Sequence, residues 1–316
     1  MERLTAVARS LEDDMVAFAQ KLIQTPSISG EEGAIAQLIC AEMDNLGYDE
    51  IYVDDIGNVV GLIRGGDGGP IVNYNSHMDH VDPGDPANWE YEPYSAAIAD
   101  GHIHGRAASD VKGGLASQIY AGAVLRRAGL PFRGTYMFTG VVQEEPAECF
   151  GMQHLVDETL PSKNQMFAVM ITSEATSLNL YLGHRGRVEM EVTTFGRTSH
   201  GSAPQLGINA IMKMMPILAA VERMAGDLPR HPFLGQSSIA PTIINCSPGR
   251  LSIIPTAARY LWTAVSSLKR RSRTSSVRSR PPSPRSPRTI PSSRRPSPSA
   301  KPRRPATRAT PKSCAS

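Results

Sequence analysis

Between positions 74 and 82 the chain reads YNSHMDHVD, with two histidines and two aspartates in six positions, directly after the stretch PIVN at 70–73. Residues two apart in extended chain point to the same side. His77 and Asp79 can therefore project together from a strand end, where the carboxylate would fix the imidazole tautomer and raise its basicity toward a metal. Taken alone, so short a pattern is more often a polar loop than a metal ligand. Further carboxylates follow other apolar runs: Asp110 lies in GRAASDVKGG, Glu144 and Glu145 follow 136–142, and Glu174 follows VMIT at 169–172. By itself Asp110 is an ordinary helix cap, and adjacent glutamates usually form a solvated turn. An acidic pair that ends a buried strand needs a counter-charge or a metal to offset its desolvation. Several strand ends delivering carboxylates and one histidine to one crevice form a two-metal hydrolase pattern.

The elements that must position these groups alternate. Helical periodicity runs over 4–23 and stops before Pro26, because the residue before a proline resists the α region. SGEE at 29–32 reads as a capping box, with Ser29 as N-cap and Glu32 reaching back, opening a helix that Gly47 closes. Strands are predicted at 50–54, 58–64, 70–75, 134–142 and 167–172, and helices at 112–128 and 150–159. This order predicts an α/β layered domain with a largely parallel sheet. Sites in such sheets lie at the carboxyl ends of the strands.

Composition limits the alternatives. The 316 residues are 41% hydrophobic, enough for buried cores. No apolar run reaches the roughly eighteen residues of a membrane span, and the first residues lack a signal peptide's apolar core, so the expected location is cytoplasmic. Cys40, Cys149, Cys246 and Cys314 are scattered and suggest neither disulfides nor a zinc knuckle. The net charge of +3 conceals two unlike segments: residues 256–316 hold 16 Lys and Arg and no acid, leaving 17 basic against 30 acidic residues before them. That Ser/Arg/Pro-rich tail carries 10 of the 25 prolines and is expected to be disordered.

Together YNSHMDHVD, WEYEPYSAAIADGHIHGRAASDVKGG, VVQEEP, SEAT at 173–176, GHRG and TSHGSAP resemble the dinuclear zinc hydrolases that include aminoacylase, acetylornithine deacetylase, succinyl-diaminopimelate desuccinylase and carboxypeptidase G. Within that family the chain is most similar to hydrolases linked to selenium metabolism. The resemblance runs from about residue 10 to Pro255. It implies a zinc-peptidase-like catalytic domain over 1–180 and a partial α+β lid and dimerisation domain over 181–255. His77 and Glu174 would bind one metal, Glu145 the other, and Asp110 would bridge them. Glu144 would be the general base, Asp79 would orient His77, and His200 would reach a partner subunit's site to stabilise the oxyanion. The ions would be two divalent metals, zinc first with cobalt or manganese as alternatives. The substrate would be a small peptide or N-acyl amino acid, and the intact form a homodimer through the lid.

The resemblance stops at Pro255. The family continues with a strand, a return to the catalytic domain and a last histidine for the second metal, whereas all eight histidines here lie at or before His231. The second metal would keep only Asp110 and Glu145, short of the three protein ligands of a catalytic zinc. Codons can be written for TAARYLWTAV at 256–265 that, read one base earlier, encode DRCEISLDRR, a peptide of the kind the family carries there. A frameshift near codon 255 is therefore expected, one that costs the lid its closing strand and impairs activity. The alternative is a non-enzymatic chain whose basic tail tracks nucleic-acid phosphates nonspecifically.

Overall fold

The computed structural model describes residues 1–146 and 149–266. Two helices, α1 (Glu2–Ser10) and α2 (Glu12–Gln24), occupy the stretch predicted as one. The break falls at Leu11, which is buried as a core residue. Helix α3 (Gly33–Asn45) follows, then β1 (Glu50–Val53), β2 (Val59–Arg64) and β3 (Gly66–His77). A short hairpin of β4 (Ala97–Ala99) and β5 (His102–His104) precedes α4 (Gly113–Ala128) and β6 (Arg133–Val141). The chain then passes through α5 (Phe150–His154) and α6 (Leu160–Ser162) to β7 (Val169–Thr172).

These strands form one sheet in the order β1-β2-β6-β3-β7. β6, β3 and β7 run parallel, while β1 and β2 are antiparallel additions at one edge. Alternation along β2 and β6 explains the layering. Val59, Ile63, Tyr136 and Phe138 face a core built with Phe18, Leu22, Ile35, Ile39, Leu115 and Ile119 of α2, α3 and α4. Val60, Leu62, Met137 and Val141 face the opposite way, toward Leu155 and Leu160. Helix α3 can lie close to the sheet because Gly61 has no side chain: a Cβ there would stand 2.3 Å from the Met43 sulfur.

A second, three-stranded antiparallel sheet follows. It contains β8 (Gly186–Phe195), β11 (Ser238–Ser247) and β12 (Ala257–Ser266), in the order β11-β12-β8. Between them lie α7 (Ala210–Gly226) and the short pair β9 (Arg230–His231) and β10 (Gly235–Gln236). Asn209 caps α7, its side chain accepting from the N–H groups of Ile211 and Met212. Ala210 and Met214 then pack on Ala258 and Tyr260.

Strand β12 corrects the expectation for the tail. Ala257–Ser266 is the central strand of this sheet, paired with both β8 and β11, so the lid does not lose its closing strand. Its alternation buries Ala258 and Tyr260, as a half-buried strand requires. The rest of the predicted tail, 267–316, lies outside the described residues, as does Cys314. Among the described residues no helix is long and apolar enough to cross a membrane.

Candidate metal centre

Three neighbouring parallel strands end side by side. His77 is the last residue of β3 and pairs with Val141 at the end of β6, while Asn75 pairs with Thr172 at the end of β7. Glu144 and Glu145 follow β6, and Glu174 follows β7. Beneath them the Ser76 hydroxyl bonds Gln118 Oε1 at 2.8 Å, and Asn75 Nδ2 donates to Thr139 Oγ1 at 2.9 Å. Asp110 enters from a wide turn, Ala108–Lys112, in which Asp110 and Val111 leave helical geometry just before α4.

The structure brings His77, Asp110 and Glu145 together, each offering a ligand atom within 4.8 Å of the others. His77 is 2% exposed, and its Nε2 lies 3.1 Å from Asp110 Oδ1. Its Nδ1 meets the backbone carbonyl of Asp79 at 3.0 Å and the Asp79 carboxylate at 3.5 Å. The carbonyl is thus the nearer group orienting the ring, because the carboxylate is engaged elsewhere. Asp79, 1% exposed, accepts the Ser29 hydroxyl at 2.6 Å and the backbone N–H groups of Glu144 and Glu145 at 3.0 and 3.1 Å.

The electrostatics call for a cation. Burial alone would suppress an imidazolium, but hydrogen bonds to Asp110 and Asp79 and the field of Glu144 outweigh it and raise the His77 pKa to about 11. The bond to His77 lowers Asp110, and in Asp79 the bonds it accepts overcome the opposing effect of burial. Glu145 is pushed up by burial and by Asp110, Asp79 and Glu144 around it. A buried imidazole that holds a proton amid crowded carboxylates is a site where a divalent ion can replace that proton. One imidazole and two carboxylates suit zinc, and cobalt or manganese as well.

Two predicted site residues stand apart. Glu174 is exposed and outside this three-residue cluster, although it interacts electrostatically with His77, Asp110, Glu144 and Glu145. His200 is exposed on the second segment, where its Nδ1 accepts the Ser202 N–H at 3.2 Å and bonds the Ser202 hydroxyl at 2.7 Å.

Sequence reasoning misplaced one motif and overlooked one residue. Ser29 is not the cap of α3, since its hydroxyl is spent on Asp79 fifty residues away. Glu32 occupies the cap position without capping, and its Oε1 accepts from Gly30 N and Gln143 N, each at 3.0 Å. Lys112 is 1% exposed and donates to the Thr25 carbonyl at 2.7 Å, while burial lowers its pKa to about 7. A lysine two residues past a candidate ligand was the available signal.

Known proteins share this fold and sequence pattern. The solved structure of the di-peptidase Dug1p from Saccharomyces cerevisiae superposes with a TM-score of 0.70 at 14% identity, over 86% of this chain and 73% of that one. The chain is 28% identical over 266 residues to a succinyl-diaminopimelate desuccinylase of Methylorubrum extorquens (strain PA1), covering 78% of this chain and 66% of that protein. It is 34% identical over 252 residues to the protein YgeY of Escherichia coli (strain K12), covering 79% of this chain. The chain spans 61% of YgeY's length. The sequence pattern of peptidase family M20/M25/M40 matches residues 74–272, more than half of the chain and the part that holds every candidate ligand, so the chain belongs to that family.

Proposed function

We propose that this chain carries the metal-binding part of a hydrolase that cleaves C–N amide bonds in small peptides or N-acyl amino acids. The observation that carries the reading is the convergence of His77 and Glu145, from adjacent strand ends, with Asp110, from the turn before α4. Its family relatives include a desuccinylase and a dipeptidase by name, which supports amide cleavage. When bound, two divalent ions, zinc first, polarise the scissile carbonyl and acidify water. His77, Asp110 and Glu174 would hold one ion, and Asp110 and Glu145 the other. Glu144 takes the proton from the attacking water as the O–C bond forms and hands it to the leaving amine as the C–N bond breaks. Asp79 holds His77 and the Glu144–Glu145 backbone in place.

The same proposal divides the chain into a catalytic part over 1–180 and a lid that begins at 181 and, with β12, runs past 255 to Ser266. The lid dimerises the intact form and lets His200 serve the partner's site. Exposed apolar side chains on α7, Met212 and Met215 among them, support that role. A single-base shift near codon 255 leaves the second metal site incomplete and this form impaired. The location is cytoplasmic.

The test is an assay of this chain and a frame-restored form on N-acyl amino acids and dipeptides. The restored form is expected to hydrolyse them and the 316-residue chain to do so negligibly. In the restored form Glu144→Gln keeps its metal while kcat falls by about a hundredfold or more, and His77→Ala loses the metal. A dimeric and fully active 316-residue product would contradict the frameshift, and parental activity in Glu144→Gln would remove it as the base.

A further inference from the structure

Strand β6 loses its sheet partners at Val141, yet the next four residues are not left to solvent. Their backbone N–H groups are taken one after another by side-chain oxygens from three separate parts of the chain. Val142 donates to Asn58 Oδ1 at 3.1 Å, Gln143 to Glu32 Oε1 at 3.0 Å, Glu144 to Asp79 Oδ1 at 3.0 Å and Glu145 to Asp79 Oδ2 at 3.1 Å. All three acceptors are nearly inaccessible: Asn58 is 0% exposed, Asp79 1% and Glu32 5%. Each is fixed in turn. Asn58 Nδ2 donates to the Gly151 carbonyl and to Asp54 Oδ2, Ser29 donates to Asp79, and Gly30 N–H holds Glu32 Oε1.

This arrangement determines where two chemically active side chains point. Gln143 sits at φ 51°, a left-handed conformation that a non-glycine residue rarely adopts, so the turn depends on its surroundings. A regular sheet ladder would carry Glu144 and Glu145 onward along β6. With N–H groups 143–145 drawn to carboxylate oxygens instead, the chain turns across the end of β3 and brings Glu145 to His77 and Asp110. A buried carboxylate without donors is costly, so Glu32 and the turn stabilise each other.

We propose that Glu32 is a positioning residue for Glu144 and Glu145: with Asp79 and Asn58 it clamps four successive backbone N–H groups, and Ser29 locks the Asp79 end of the clamp. The role assigned to Glu144 and Glu145 rests on the hydrolase reading above; the clamp itself does not. Glu32→Gln should preserve the clamp, because an amide oxygen can accept the same two N–H groups. Glu32→Ala should open it.

Two readouts on the full 316-residue chain separate the claims. Amide hydrogen exchange reports the clamp directly: in Glu32→Ala the peptide covering 142–145 should exchange faster by about tenfold or more, while β6 keeps its parental rate and Glu32→Gln restores protection. Titration with cobalt(II), followed by visible absorption, reports the consequence. Glu32→Ala should weaken cobalt binding by roughly 10- to 100-fold and alter the ligand-field bands, with Glu32→Gln again parental. Unchanged exchange in Glu32→Ala would overturn the clamp. Faster exchange with parental cobalt affinity and spectrum would overturn the positioning role. If the parent chain itself bound no cobalt, the metal reading would fail, and the exchange result would still decide the clamp.

Discussion

Strands β3 and β7 lie side by side in parallel register, yet they build opposite kinds of wall for the same site. The end of β3 is closed: Asn75, Ser76, His77 and Asp79 are each at most 3% exposed, and every one has hydrogen-bonded partners. β7 is open along its length, with Val169, Met170 and Ile171 at 53%, 39% and 42% exposure, and Glu174 beyond it is exposed too. Parallel strands are normally covered on both faces and paired on both sides. Among the described residues β7 pairs only with β3. The difference teaches which wall locks its side chains: His77 and Asp79, on the closed wall, are held fast, while Glu174, on the open wall, stands outside the three-residue cluster, which His77 shares with the half-buried Glu145 and the exposed Asp110.

The closed wall should be the fragile one. A Cβ added to Gly151 would meet the Val142 carbonyl oxygen at 2.3 Å and Asn58 Oδ1 at 2.7 Å, so Gly151→Ala must displace backbone at the clamp. We expect a destabilisation of about 1–3 kcal/mol, read as a lower denaturant midpoint with an unchanged m value. A parental midpoint would show that this wall tolerates movement.

Acid should strike the same wall. His80 is fully buried; its Nε2 accepts the Ser27 N–H at 2.9 Å and its Nδ1 donates to the Val81 carbonyl at 2.8 Å. Burial lowers its pKa below the ordinary 6.5, with Lys112 and Arg106 adding to the effect against Val81 and Asp79. The unfolded chain therefore takes up this proton first. The stability contribution is present above 6.5 and lost as pH falls through the lower folded value. Melting temperature followed from pH 7 to 5 should decline less steeply in His80→Gln than in the parent, and equal slopes would remove His80 as a cause.

The open wall should tolerate change. Ile171→Lys is expected to shift stability by no more than about 0.5 kcal/mol while reducing aggregation in light scattering, since a lysine on a strand edge discourages edge-to-edge pairing. A large loss of stability would mean that β7 is covered after all.

What could be read from sequence divides along the same line. Elements set by local periodicity were legible: β2, α4 and β6 fall within one residue of prediction, and His77 and Glu145, singled out because a histidine and carboxylates follow apolar runs, come together in the fold. What escaped depends on distant partners. The SGEE motif looks like a local cap, but Ser29 meets Asp79 and Glu32 meets Gln143, contacts that only the folded sheet supplies. Strand β12 was hidden by the basic, proline-rich composition after it. Its own alternation, with Ala258 and Tyr260 inward, fits the gap between β8 and β11.

The central claim is that the cluster of His77, Asp110 and Glu145 belongs to a metal centre, in which one divalent ion is held by His77, Asp110 and Glu174 and the second position, left with Asp110 and Glu145, is short of a ligand. Calorimetric titration of the chelator-treated 316-residue chain with zinc tests it most directly. The expected result is one tight event per chain, absent in His77→Ala. Two tight events of equal affinity would contradict the incomplete second site, and no tight event would contradict the metal centre itself.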